Sequence, residues 1–277
     1  MRIRIIDAFT DRPFAGNPAA VCLLDTDTWP DESWMHRLAA EMNLSETAFA
    51  HPLADTTDAD WALRWFTPVV ETNLCGHATL ATAHAMHGDR GTPGTVRFQT
   101  RSGVLVTHSR SDGGITLDFP AAPPVPAPAP AGLARALRHE PEAAYRTGAL
   151  GDLLTVVADE ATVRGLAPDF AALAELSRAD DLRGVIVTAP AADPAAGYDF
   201  VSRFFAPGSG IPEDPVTGSA HTALAPYWAR RLGRDGLTGL QASARTGLVR
   251  TSLHGDRVHL TGTAVTVLDG ALRYPAG

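Results

Sequence analysis

One phrase occurs twice in this 277-residue chain. Arg64-Trp65-Phe66-Thr67-Pro68 leads into Glu71-Thr72-Asn73-Leu74-Cys75-Gly76-His77-Ala78, and Arg203-Phe204-Phe205-Ala206-Pro207 leads into Glu213-Asp214-Pro215-Val216-Thr217-Gly218-Ser219-Ala220. The offset is 139 residues at the Phe-x-Pro and 142 at the acid, the Gly and the helix start. A third echo, Arg101-Ser102-Gly103-Val104-Leu105-Val106 against Arg245-Thr246-Gly247-Leu248-Val249-Arg250, has an offset of 144. Three matches in one order at nearly one offset imply two related halves, each of ordinary domain size.

Residues 120–131 hold six prolines in twelve positions and fall at the midpoint the repeat requires. They read as an extended, semi-rigid linker, since proline tracts favour polyproline II. The expected organisation is an N-terminal half over 1–119, a linker over 120–131 and a C-terminal half from 132. The net charge of −8 and the absence of a Lys/Arg run give no sign of a nucleic-acid or membrane-surface partner, and none is expected. No apolar run reaches the ~18 residues of a membrane span. Met1-Arg2-Ile3-Arg4-Ile5-Ile6-Asp7 alternates like a strand rather than a signal peptide. Two cysteines, Cys22 and Cys75, make no disulfide framework, so a cytoplasmic setting is expected.

Strands are expected at 2–9, 19–24, 44–51 and 60–66. A helix is expected after Asp31 or Ser33, with Trp34, Leu38, Ala39 and Met42 on one face and Asn43 at its C′ position. The helix over 77–87 has no formally charged residue and no polar face, and such a helix is buried all round. Its second-half counterpart, 219–231, is uncharged until Arg230, with Pro226 expected to kink it. Strands at 150–157, 184–188 and 198–205, a helix near 168–177 and closing strands to 274 complete the second half. Short strands around an apolar helix imply an α+β fold in which a sheet curls around a central helix, twice.

Each such helix starts at a glycine, Gly76 or Gly218. A first helical turn presents unpaired N–H groups and the positive end of the dipole, and glycine lets a ligand approach. Two such ends could hold a carboxylate or an enolate-like charge; they could also be only tight turns. Glu46, alone in a mild strand, could be a desolvated proton acceptor or a solvated acid on an outer face. Asp214 and Glu213 could be acid groups or could complement the helix dipole, and Ser219 a ligand donor or part of a cap. His77 could move a proton or be a core histidine. Cys75, at a helix N-terminus, is a candidate base or nucleophile, whereas its repeat partner Thr217 is far too weak an acid to mirror it. His77, His84 and His87 share a helical face, but a metal needs closer ligand spacing and usually a Cys or carboxylate partner. There is no G-x-G-x-x-G after a strand, no P-loop and no G-x-S-x-G elbow.

Together Asp7 to Pro18 (DAFTDRPFAGNP), Asn43-Leu44-Ser45-Glu46-Thr47, Phe66-Thr67-Pro68, Gly76-His77-Ala78-Thr79 and Glu213 to Ala220 resemble the PhzF-like (phenazine biosynthesis) isomerase family, in the diaminopimelate epimerase-like fold. The resemblance spans essentially the whole chain. It implies two pseudo-symmetric domains, each a β-barrel-like sheet around a central helix, with the last residues, about 268–277, returning to the first. It implies no metal and no organic cofactor, a small carboxylate-bearing substrate, and a homodimer. The family's proton-shuttling glutamate falls on Glu46, its helix-start histidine on His77, its acid before the proline on Asp214 and its helix-start serine on Ser219. Asn17, Cys75, Gly76, Thr217 and Gly218 are then substrate contacts.

The resulting expectation is a cofactor-independent isomerase that moves a proton, and so a double bond, within a small carboxylate. One departure matters. The phenazine enzyme resembles Ala-Gly-His where this chain has Cys75-Gly76-His77, and the epimerases of the fold have Cys-Gly at both helix starts. This leaves two rivals: a Cys75-dependent amino-acid racemase, epimerase or dehydratase, and a non-catalytic small-ligand-binding protein on the same scaffold.

Overall fold

A computed structural model describes residues 1–54, 58–90, 94–193 and 195–274. Contacts divide the chain into Met1–Asp118 with Thr261–Gly277, and Phe119–Leu260. In chain order the first stretch forms β1 (Arg2–Ala8), β2 (Asn17–Leu23), α1 (Glu32–Met42), β3 (Glu46–Pro52), β4 (Trp61–Phe66), β5 (Glu71–Thr72), α2 (Gly76–Arg90), β6 (Thr95–Thr100), β7 (Gly103–Ser109) and β8 (Ile115–Pro120). The chain continues through β9 (Val125–Ala127), α3 (Leu133–Leu137), β10 (Ala143–Arg146), β11 (Asp152–Val156), α4 (Glu160–Gly165), α5 (Phe170–Ala179), β12 (Gly184–Pro190), β13 (Phe200–Ala206), β14 (Ile211–Asp214), α6 (Gly218–Leu232), β15 (Gly236–Gln241), β16 (Gly247–His254), β17 (Arg257–Gly262) and β18 (Ala264–Ala271).

The repeat is visible in the strand pairing. In the first unit β2 and β3 are parallel, joined through α1, β3 and β4 are antiparallel, and β4 and β6 are parallel. In the second, β11 and β12 are parallel, β12 and β13 antiparallel, and β13 and β15 parallel. The strand that trails each half is handed on: β9 comes after β8 yet pairs with β10, and β18 comes after β17 yet pairs with β1 along its whole length. The proline-rich stretch is thus more than a linker, since Val125, Pro126 and Ala127 lie opposite Arg146, Tyr145 and Ala144. The return to the first unit begins at Thr261, earlier than 268, and continues through β18; residues 275–277 lie outside the described residues.

In the first unit, alternation sorts each strand's side chains between two helices. Ala20 and Cys22 of β2 and Phe49 of β3 pack with Met35, Leu38 and Ala39 of α1. The alternate residues, Asn17, Ala19 and Val21 of β2 and Glu46 and Ala48 of β3, therefore face α2. Helix α2 touches β1, β2, β3, β7 and β18, strands from distant parts of the sheet, because the sheet wraps around it. Ala78, Leu80, Ala81, Ala83, Ala85 and Met86 are buried on successive sides. The hydroxyls this would strand bond back to the helix, Thr79 Oγ1 donating to Cys75 O (2.5 Å) and Thr82 Oγ1 to Ala78 O (2.7 Å). Helix α1 is capped as its sequence predicts: Asp31 Oδ1 accepts from Trp34 N at 3.0 Å, and Asn43 adopts φ 50°. Such a cap contributes about 1 kcal/mol.

The second unit repeats the plan. Leu153, Val185, Val187, Val201 and Phe205 pack against α3, α4 and α5, while Leu154, Ile186, Phe200 and Phe204 pack against Ala220, Ala223, Leu224 and Trp228 of α6. Strands covered on both faces read as unbroken apolar runs, which is why β12 is Gly-Val-Ile-Val-Thr-Ala-Pro. Pro226 lies within a helix that stays continuous from Gly218 to Leu232. Its missing N–H leaves Thr222 O without the usual helical donor, and Ala122 N–H from the proline-rich stretch donates there instead, at 3.0 Å. Trp228 stacks on Phe200 with centroids 5.7 Å apart and donates Nε1–H to Thr188 Oγ1 at 3.0 Å.

His221, fully buried on α6, contacts Thr217 O through Nδ1 at 2.8 Å. It stands 142 residues after Thr79, which bonds the equivalent carbonyl in the first unit. Burial pushes its pKa down to about 4. A depressed folded-state value means that the unfolded chain binds the proton first. Stability is therefore intact above pH ~6.5 and is lost as pH falls towards 4, by about 3 kcal/mol for a shift of this size. Denaturant melts between pH 7 and 4 should show a gentler acid slope for His221→Leu than for wild type, by about that amount; equal slopes refute the assignment. No helix among the described residues is long and apolar enough to cross a membrane.

Candidate active site

The duplicated Arg and Glu of the two phrases turn out to build the scaffold. Arg64 donates Nε and Nη2 to Glu71 (2.8 and 2.5 Å), and Arg203 makes the same two bonds to Glu213 (2.7 and 2.9 Å). Each guanidinium lies over the phenylalanine two residues on, Phe66 at 5.0 Å and Phe205 at 4.9 Å. These forks tie β4 to β5 and β13 to β14, fixing where the next segment enters α2 or α6. Glu213 is thereby spent on structure, and Asp214, the next residue, takes a different environment.

In the first unit five expected residues come together: Asn17 at the start of β2, Glu46 at the start of β3, and Cys75, Gly76 and His77 at the start of α2. Glu46 Oε2 lies 3.2 Å from His77 Nε2, and Asn17 Nδ2 lies 3.1 Å from His77 Nδ1. Cys75 Sγ is 3.5 Å from Nδ1 and 4.0 Å from Nε2. Ser45 Oγ, absent from the expectation, donates to Asn17 Oδ1 at 3.4 Å. That bond turns the Asn17 amide so that its NH2 donates to Nδ1, which leaves the imidazole proton on Nε2; Nε2 and Glu46 Oε2 are close but do not have hydrogen-bond geometry. Burial pushes the His77 pKa down to about 3, so the ring is neutral at physiological pH. Glu46 keeps 9 % of its surface and His77 4 %, so the carboxylate stands at the edge of a nearly closed polar group.

The metal question changes with this geometry. His84 and His87 are not brought to His77; His84 Nε2 contacts Thr266 Oγ1 instead. The Cys and carboxylate partners that helical spacing did not offer arrive from the preceding loop and from β3. Among the described residues, Glu46, Cys75 and His77 form a set whose ligand atoms lie within 4.8 Å of one another.

Asn17 depends on the turn before it. Gly16 has φ 63°, and a Cβ there would sit 2.1 Å from Ala8 O and 2.9 Å from the Thr10 methyl. Neither the left-handed backbone nor the clash with main chain can be relieved by a side-chain rotation. Phe14, at φ 65°, is held by Asp7 Oδ2 accepting its N–H at 2.7 Å. Gly16→Ala is expected to move Asn17 off His77 and lower the melting temperature. An Asn17–His77 contact intact in a crystal structure of the variant would refute this.

In the second unit, Thr217 caps α6 without a side-chain cap bond, because its Oγ1 donates to Asp214 Oδ2. Gln241, buried and unanticipated, clamps this turn: its Oε1 accepts from Thr217 N (2.8 Å), and its Nε2 donates to Asp214 O (2.8 Å) and Thr217 Oγ1 (3.2 Å). Its nearest sequence signal, Gln99 at the same offset of 142, misleads. Strand pairing places Ala62 beside Gln99 but Ser202 beside Gln241, so the structural partner of Gln241 is Thr100. Ser219 Oγ accepts from Arg183 Nη1 at 2.9 Å, and Arg183 is itself held by Asp152. Gly218 opens α6 as Gly76 opens α2.

Two pseudo-symmetric α+β units, each a sheet around a central helix, define the epimerase-like fold. A hydroxyproline epimerase from Agrobacterium vitis has the same fold, with TM-score 0.61 at 12% identity over 98% of this chain and 91% of that one. The chain belongs to the phenazine biosynthesis-like protein family, whose model matches residues 6–270. It is 47% identical over 268 residues to an uncharacterized isomerase of Pseudomonas aeruginosa, covering 96% of each chain. It is 41% identical to a phenazine biosynthesis PhzF-family protein of Enterococcus faecalis, whose crystal structure matches with TM-score 0.85 over 97% of both chains. Membership makes this an enzyme of isomerase or epimerase type.

Proposed function

We propose that the protein is a cofactor-independent isomerase in which Glu46 removes a proton from carbon in a small carboxylate-bearing metabolite and returns it at another carbon. The observation that carries this is the buried Asn17–His77–Glu46 group, in which Asn17 Nδ2 lies 3.1 Å from His77 Nδ1 and His77 Nε2 lies 3.2 Å from Glu46 Oε2. A neutral imidazole beside the carboxylate does not neutralise its charge, so the group can accept a proton from carbon. Removal of the proton leaves an electron pair delocalised towards the substrate carboxylate, and the pair moves the double bond when the proton is redelivered. Because one group both takes and gives, the two carbon positions exchange their proton on the same face.

The contact between Cys75 and His77 favours a second reading, a Cys75-dependent epimerase or racemase. It requires a base to generate the thiolate, and a histidine pushed down to about 3 is a poor proton acceptor. Glu46 is therefore the better base. For Asp214 and Ser219 we keep the roles the family resemblance suggests, relay and ligand donor, as proposals. The experiment is proton NMR in D2O with a panel of β,γ-unsaturated, α-amino and α-hydroxy carboxylates, comparing wild type, Glu46→Gln and Cys75→Ala. Deuterium entry lost in Glu46→Gln and retained in Cys75→Ala supports this reading. The reverse pattern establishes the Cys75 enzyme. No exchange of any compound, together with binding of one that is recovered unchanged, favours a non-catalytic binding protein.

A further inference from the structure

We propose that an open cleft beside Arg64, made wholly by residues of the first unit, binds a small α-amino acid in its zwitterionic form. The repeat shows what Arg64 lacks. A guanidinium has five N–H donors, and in both units the Nε and Nη2 groups run to the fork glutamate. In the second unit Nη1 of Arg203 donates to Leu166 O at 2.7 Å and to Val163 O at 3.2 Å, carbonyls at the C-terminal end of α4. The first unit has no counterpart of α4: α1 alone joins β2 to β3, whereas α4 and α5 both lie between β11 and β12. Nη1 of Arg64 accordingly has no hydrogen-bond partner among the described residues. Beside it opens a cleft of about 340 Å³, lined by Trp29 and Glu32 at the start of α1, Arg64 on β4, and Gln99 and Arg101 at the end of β6. That volume is within the range of small-molecule sites.

The walls define the ligand. Arg64 and Arg101 converge, since Nη2 of each approaches the same oxygen, Glu71 Oε2, at 2.5 and 2.6 Å. Both oxygens of buried Glu71 are committed to this fork. The donors left over, Nη1 of Arg64 and the remaining nitrogens of half-exposed Arg101, call for an acceptor from outside. A carboxylate is the acceptor that guanidiniums hold best, because its two oxygens match their paired donors. A simple anion also meets Glu32, whose carboxylate lies 2.6 Å from Arg64 Nη2 on the same wall. Glu32 repels an anion and attracts an ammonium. Two arginines and two glutamates sum to zero charge, so a ligand of zero net charge that carries both groups matches the cleft as it stands. In an α-amino acid the carboxylate and ammonium are attached to one carbon, close enough to engage Arg64 and Glu32 together. Trp29, which carries the Arg64 guanidinium 5.5 Å from its ring centroid, supplies an aromatic wall for the ligand's side chain. The cleft shares no residue with the group around His77, and its binding does not rest on Glu46 being the base.

The test is isothermal titration calorimetry of the full chain with the common amino acids one by one, then with the N-acetyl derivative and the decarboxylated amine of each that binds. At least one amino acid should bind, and each derivative, lacking one of the two charges, should bind at least about tenfold more weakly. Arg101→Gln and Glu32→Gln, at side chains 51 % and 58 % exposed and checked for folding by circular dichroism, should each weaken the amino acid by a similar factor. Glu32→Gln should also bind the N-acetyl derivative more tightly than wild type does, because the repelling carboxylate is gone. Should either variant fail to fold, the two derivatives decide alone. Glu46→Gln should leave the affinity unchanged. No binding of any amino acid at millimolar concentration overturns the site. An N-acetyl derivative that binds wild type as tightly as its parent also overturns it and marks a plain anion site. Binding lost in Glu46→Gln but kept in Arg101→Gln overturns it too, and assigns the amino acid to the group around His77 as a substrate.

Discussion

Glu46→Gln is expected to cut solvent-deuterium incorporation by about 10²–10⁴-fold, the range that a positioned acid–base group supplies, with the fold and ligand affinity largely kept. Glutamine preserves the length and most of the hydrogen-bonding reach of glutamate but cannot take a proton from carbon. The neighbours predict the rest of the pattern. Glutamine brings no new charge to the neutral His77 ring, 3.2 Å away, so the Asn17–His77 pair stays in place. Glu46→Asp withdraws the carboxylate by about one methylene, which weakens the same step without abolishing it, so its rate should fall between the two. Loss of ligand affinity in parallel with rate would make Glu46 a binding group. Undiminished exchange in Glu46→Gln would end its role as base.

The two-unit fold was legible because a duplication writes itself twice. Gly76 and Gly218, each opening a helix that carries no charge until its last turn, mark two buried cores in the residues alone. The handed-on strands were less visible, since β9 is a proline-bearing segment whose pairing depends on strands far away in sequence. The cluster around His77 was partly legible where a residue's type is rare in its context, as with Glu46 in a mild strand, which lies 3.2 Å from His77. It was illegible where a common residue acquires its role by tertiary register. Gln241 clamps Asp214 only because β15 pairs with β13 in one register, and Arg183 looks like any loop arginine until Asp152 is found beneath it. Periodicity along one helix likewise grouped His77 with His84 and His87, whereas its actual neighbours come from β2, β3 and the loop before α2. The candidate site falls where the units depart from the repeat: Cys75 and His77 in one unit stand where Thr217 and Ser219 stand in the other.

Arg183→Met is expected to destabilise the second unit by about 2–3 kcal/mol, less than for a fully buried pair because the Arg183 side chain is 38 % exposed while Asp152 is buried. Asp152 has no exposed surface, and Arg183 forks over it, with Nε donating to Oδ1 at 2.8 Å and Nη2 to Oδ2. Burial pushes the Asp152 carboxyl up in pKa, and Arg183 is what opposes this. Without the arginine the value rises further. A folded value above the unfolded one sets the sign. The variant's stability is highest below the unfolded carboxylate pKa near 4 and is lost as pH rises through the folded value, where the carboxyl must ionise in place or the unit unfold. Wild type and variant should thus converge at acid pH and diverge towards pH 7, where the melting temperature falls by on the order of 10 °C. Asp152→Asn in the same chain removes the stranded charge and should restore much of the loss, because replacing both partners of a buried pair costs far less than breaking it. The same variant frees Ser219 Oγ from Arg183 Nη1, so its exchange rate, measured under conditions where it is folded, reports whether that contact holds Ser219 for its proposed role. Equal stability of wild type and Arg183→Met at pH 7 would show that Asp152 is carried as a neutral acid and that the fork contributes nothing.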